Sequence, residues 1–196
     1  GADLHRARLD RLGIAADLIM IMADVALALL FYVLLKPVSQ ALSLLAAFFR
    51  LGQATILGLN LLNLFFVLHL LNGAGYLAVF SPDQLHALGL LFLTGHSLGY
   101  TIGLVLFGLS LLILGYLVYQ ADYFPRFLGV LLMVAALGYL IDSFASFFLP
   151  TYDNYEAIFA LVVFLPAFIG ELAMCLWLLV KGVKEQQIQW RPSPTA

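Results

Sequence analysis

The chain has 196 residues, of which 64% are hydrophobic and only 10% charged, against roughly 25% charged in an ordinary soluble domain. Such a composition cannot cover a water-facing surface with polar groups, so lipid must solvate most of the chain. A net charge of −2 supplies no basic field and excludes nucleic acid as a partner, while the single Cys175 excludes an internal disulfide and a cysteine zinc cluster.

Residues 1–11 form a polar N-terminal segment carrying Arg6, Arg8 and Arg11. The apolar run behind it is too long for a secretory signal and lacks a cleavage site, so the segment reads as an amphipathic stub on the headgroups. Residues 12–183 read as a single transmembrane helical domain, and 184–196 as a polar cytoplasmic tail with Trp190 as interfacial anchor.

The first span runs from Leu12 to Leu35, long enough at about 1.5 Å per residue to cross a hydrocarbon core of about 30 Å. Lys36-Pro37 ends it, since Pro37 disfavours helix at the residue before it. The second segment, Val38 to Leu71, exceeds what a bilayer needs, so it must tilt, break near Gly52 or Gly58, or project. Asn72-Gly73-Ala74-Gly75 marks a loop. Ser81-Pro82-Asp83 is a helix start, with Ser81 as N-cap and Pro82 in the first turn. The third segment then continues to Gln120. Phe124-Pro125-Arg126 opens the fourth, which ends at Leu149-Pro150. A polar turn from Thr151 to Glu156 leads into the fifth, which ends at Lys181 and is predicted to kink at Pro166. The fold class is all-α: an integral membrane helical bundle of about five transmembrane helices.

Lys36, Arg126, Lys181, Lys184 and Arg191 fall on one side of this arrangement, and Asp83, Asp153 and Glu156 on the other. The positive-inside rule then places the C-terminus in the cytoplasm, with only the Arg6, Arg8 and Arg11 segment falling on the opposite, outer side. Gly95, Gly99 and Gly103 recur every four residues and line one helical face, for packing within the chain or against a partner helix.

Ionisable residues inside apolar spans are expensive and need partners. Counted from the cytoplasmic helix ends, Asp24, Arg50 and Glu171 each lie roughly 15–18 Å deep, near the bilayer midplane. Arg50 keeps its proton and therefore requires an anion or water, and either Asp24 or Glu171 can meet its planar fork. This set reads as a ligand, lipid or ion site, or as a buried ion pair fixing helix register. A second set, Asp17, Asn60, His96, Tyr100 and Asp142, lies nearer the outer face, with His96 and Tyr100 sharing a helix face. It can form a hydrogen-bonded network or a ligand site, or support acid–base chemistry. No zinc-protease spacing, glycine-rich phosphate loop or serine elbow is present, so no metal or cofactor is expected and no motif names a reaction.

Six stretches carry a family resemblance: RLGIAADLIMIMADVALALLFYVLLKPV from Arg11, AAFFRLGQATILGLNLL around Arg50, GHSLGY with His96, LGYLVYQADYFPRFLGVLL, GYLIDSFASFFLP and GELAMCLWLLVKG. The chain resembles a family of bacterial multi-pass membrane proteins catalogued as domain of unknown function 4386. The resemblance implies a helical protein of the bacterial inner (plasma) membrane with no established activity. It also implies one further transmembrane helix ahead of Gly1, so that this chain begins in the loop after it. It assigns no residue a role. Three functional readings follow. In the first, the protein binds a small ligand, lipid or ion in a polar cavity around Arg50, Asp24 and Glu171. In the second, it is a structural or assembly subunit whose polar groups all pair off. In the third, it is a membrane-embedded hydrolase using His96 with Asp142 or Asp17.

Overall fold

The computed structural model describes residues 2–73 and 75–182. The tail with Lys184, Trp190 and Arg191 lies outside the described residues, as do the side chains of Arg6, Arg8, Arg11, Asp153 and Glu156.

Among the described residues five α-helices make the fold: α1 (Ala2–Leu35), α2 (Gln40–Leu71), α3 (Pro82–Gln120), α4 (Arg126–Phe148) and α5 (Glu156–Val180). Each contains a stretch long and apolar enough to cross a membrane, which makes the chain a helical membrane protein. The segment expected as a separate stub is helical from Ala2 and continuous with α1. The α2 helix starts at Gln40 because the Ser39 side chain accepts from the Leu42 N–H and caps it. It passes Gly52 and Gly58 without interruption, so its 32 residues are accommodated by length and not by a break. Ser81 and Gln84 form a reciprocal capping box, with Pro82 in the first turn, at the start of the 39-residue α3. At about 1.5 Å per residue α3 extends for roughly 58 Å and must reach beyond the hydrocarbon. Helix α5 remains helical on both sides of Pro166.

The helices pack in series, α1 on α2, α2 on α3, α3 on α4 and α4 on α5, while α1 and α5 share no packed interface. The densest part of the core lies between α3 and α4, where Leu111, Leu117 and Val118 meet Leu128, Leu132, Ala135 and Ala136. Lipid supplies no hydrophobic drive for helices to associate, so close backbone approach must hold this seam. A Cβ on Gly129 would come within 2.6 Å of the Gly115 carbonyl oxygen and the Tyr119 nitrogen. Neither position has room for alanine. The other glycine face of α3 packs on α2: Gly95 lies against Asn63, Gly99 against Asn60, and Gly103 against Leu57.

Interhelical hydrogen bonds reinforce the series at the end that carries Lys36. Ser43 donates to the Tyr32 carbonyl at 3.0 Å and Ser110 to the Ala46 carbonyl at 2.8 Å. Tyr123, in the turn between α3 and α4, donates to the Leu34 carbonyl. Burial raises its phenol pKa above the usual value, which keeps it a donor.

Candidate functional site

Heptad-like spacing brings Ser43, Ala46, Arg50, Gln53, Leu57 and Asn60 onto one buried face of α2. Arg50 and Asp24 of α1 meet on that face. The Arg50 Nη2 lies 2.8 Å from Asp24 Oδ1, and Arg50 Nε donates to the same oxygen at 3.1 Å. Gln53 Nε2 donates to the other oxygen, Oδ2, at 3.0 Å. The carboxylate is thus held on both lone-pair edges, and both members of the pair are at least nine-tenths buried. The guanidinium carbon stands 4.8 Å from the centroid of the Phe107 ring on α3, a cation–π position.

Glu171 of α5 is not the partner of Arg50. Its Oε1 accepts from the Tyr139 hydroxyl of α4 at 3.0 Å, and Tyr139 packs edge-on against the Phe107 ring, 5.0 Å between centroids. Arg50 and Glu171 therefore each meet one member of an aromatic pair. Among the described residues the only ion pair is Arg50–Asp24, so Glu171 has a phenol as its hydrogen-bond partner and no cation in direct contact.

Both residues open onto a cleft of about 570 Å³ between α1 and α5. Its remaining walls are apolar: Leu27 and Phe31 from α1, Phe107, Leu111 and Leu114 from α3, and Phe168, Leu172, Cys175 and Leu179 among those from α4 and α5. That volume falls inside the roughly 300–1,000 Å³ of small-molecule sites, and so does the pattern of apolar walls with few polar groups. The cleft exists because α1 and α5 end the packing series without closing on each other. A wider groove of about 750 Å³ lies at the Lys36 end. It is lined by turn residues such as Pro37, Ser39, Asp122 and Tyr123 and does not reach the buried charges.

Four members of the outer polar set come together. Asp17, Asn60, His96 and Tyr100 line one void of only about 10 Å³, the size of a single water. Asn60 donates to the His96 carbonyl at 2.8 Å, and the His96 Nδ1 faces the Asn60 carbonyl at 3.4 Å. Asn63 donates to the Asn60 side-chain oxygen at 3.0 Å. The Asn60 amide occupies the place a Cβ on Gly99 would take, 2.2 Å from its Oδ1. Asp142 does not join this group: it accepts from the Tyr152 hydroxyl at 2.8 Å at the start of the α4–α5 connection. Among the described residues no carboxylate lies within hydrogen-bond reach of His96, and no three His, Cys, Asp or Glu side chains gather around a metal-sized position.

Sequence reading missed Gln53, Tyr139 and Phe107. Gln53 was findable, since it sits three residues after Arg50 on the same helical face. Tyr139 and Phe107 carry no local signal, because their roles arise only from how α3, α4 and α5 are placed. The Gln53 Oε1 is buried without a partner, as is the Ser143 hydroxyl.

The profile of a family described as a domain of unknown function (DUF4386) matches residues 4–182. A protein of Archaeoglobus fulgidus, described as an uncharacterized protein, is 30% identical over 174 residues, which is 89% of this chain and 86% of its own length. No solved structure matches the chain.

Proposed function

The chain belongs to the DUF4386 family, and we propose that it binds a small membrane-soluble molecule in the cleft between α1 and α5. One observation carries this reading: a cleft of about 570 Å³ whose otherwise apolar lining includes two ionisable side chains, Arg50 and Glu171. An apolar cleft alone would be filled by lipid tails with no need for charges at that depth. The void at His96, of about 10 Å³, admits nothing larger than water and does not compete as a ligand site. Because the cleft lies between two helices that do not pack together, the ligand enters sideways from the bilayer. Lys36, Arg126 and Lys181 lie at one end of the bundle, and we place that end in the cytoplasm of a plasma (inner) membrane protein.

Cys175 is exposed and lines the cleft, which makes it a native reporter. Alkylation of Cys175 by a small maleimide is expected to be slow in freshly extracted protein. It should accelerate after exhaustive washing in the same detergent, and slow again when the apolar extract of the source membranes is returned. A rate that stays constant through all three steps contradicts the reading.

The subunit reading has its own support. Asp24, Arg50, Asn60, Asp142 and Glu171 each have a partner inside the chain, so the polar groups can be read as architecture. A constant Cys175 rate would favour it.

A further inference from the structure

We propose that the ligand of the α1–α5 cleft is a lipophilic amine whose nitrogen is held by Glu171. This rests on the cleft being a ligand site and names the class of molecule that fits it. Charge in the cleft lining selects the ligand's head. Arg50 is already neutralised: two of its nitrogens lie on Asp24 Oδ1, and Gln53 holds the remaining carboxylate oxygen. An anionic headgroup would have to displace Asp24, stranding a carboxylate that is 6% exposed, or add a net negative charge at that depth. Glu171 is different. Its Oε1 takes a single hydrogen bond from Tyr139, it makes no direct ion pair among the described residues, the one cation across the cleft, Arg50, being already bound to Asp24, and it lies in the cleft wall. A primary amine meeting this carboxyl completes a neutral assembly wherever the shared proton sits: ammonium on carboxylate, or amine on carboxylic acid. Arg50–Asp24 and amine–Glu171 then form two balanced pairs, one at Phe107 and the other at Tyr139.

The walls fit the rest of such a molecule. From Glu171 the lining continues through Cys175 to Leu178 and Leu179 on α5, and along Leu111, Leu114 and Phe31 opposite, about two helical turns of apolar surface. A head at Glu171 therefore places an alkyl tail along the cleft toward the Lys36 end.

The test uses the whole chain in dodecylmaltoside micelles and three probes with the same alkyl tail: dodecylamine, dodecanol and dodecanoate. Binding is read by equilibrium dialysis against empty micelles. Dodecylamine is expected to bind at least about tenfold more tightly than the other two, the scale of one charge-assisted hydrogen bond. Glu171→Gln, which keeps an oxygen for Tyr139 to donate to, is expected to bring the amine down to the level of the alcohol. Glu171→Asp is expected to retain the preference. Equal binding of the three probes to the unmodified protein overturns the amine assignment while leaving the cleft as a ligand site, and this arm needs no variant to fold. Amine preference that survives Glu171→Gln also overturns it. If no probe binds saturably, the ligand site itself is refuted along with the amine.

Discussion

At the scale of single residues, Arg50 explains most of what the buried charges do. A guanidinium cannot shed its proton, so a span can carry one only where an anion is fixed beside it. Depth along the helices left two candidates for that anion, Asp24 and Glu171. The structure chooses Asp24, because α1 packs directly on α2 whereas α5 is separated from it by α3 and α4. The consequence is measurable. Removing one partner leaves the other charge buried and unpaired, so Arg50→Met or Asp24→Asn alone should destabilise the protein by about 3–5 kcal/mol. The double variant should lose less than either single one, because no lone charge remains. Thermal unfolding of the three variants in one detergent checks this. Additive losses would mean that the pair carries no coupling.

At the scale of helices, what held the prediction together was punctuation. Ser81 with Pro82, Pro125 with Arg126, and Leu149 with Pro150 mark ends that the helices respect within a residue or two, because caps and proline act locally and leave their mark in a few adjacent positions. Rotation and neighbour order have no such local mark. Hence depth alone groups Asp142 with His96, although Asp142 bonds to Tyr152 in the α4–α5 connection. The glycines of α3 show the same division. Their four-residue spacing announces a packing face, but only the structure shows two faces, with Gly95, Gly99 and Gly103 toward α2 and Gly108 and Gly115 toward α4. The tighter is the α4 seam. Gly129→Ala would drive a methyl into backbone atoms 2.6 Å away, so it is expected to cost about 1–3 kcal/mol through forced separation of α3 and α4. Gly58→Ala, where nothing lies within 4 Å of the added carbon, is expected to be neutral or slightly stabilising by helix propensity. Unfolding midpoints of the two variants make the comparison, and similar losses at both positions would deny the close crossing.

At the scale of the whole molecule, the serial packing of five helices leaves two ends that do not meet, and the cleft is the space between them. Its position was not legible in the sequence, since an open edge follows from which helices neighbour each other and not from the apolar pattern of any one of them. Its chemistry was partly legible: Arg50 and Glu171 stood out as charges at one depth, though the sequence joined them to a single site with Asp24. The structure divides that group into a closed pair and an acid facing the cleft. The proposed ligand site rests on that difference, because a carboxyl with no direct cation partner has capacity left for a ligand, while the Arg50–Asp24 pair is already saturated.

The most direct test of the cleft as a ligand site is native mass spectrometry of the detergent-released protein beside a Cys175→Trp variant, whose indole obstructs the cleft from α5. One defined small molecule, distinct from bulk lipid, is expected on the unmodified chain and absent from the variant. Identical spectra, with both forms bare or carrying the same spread of bulk lipids, would contradict it.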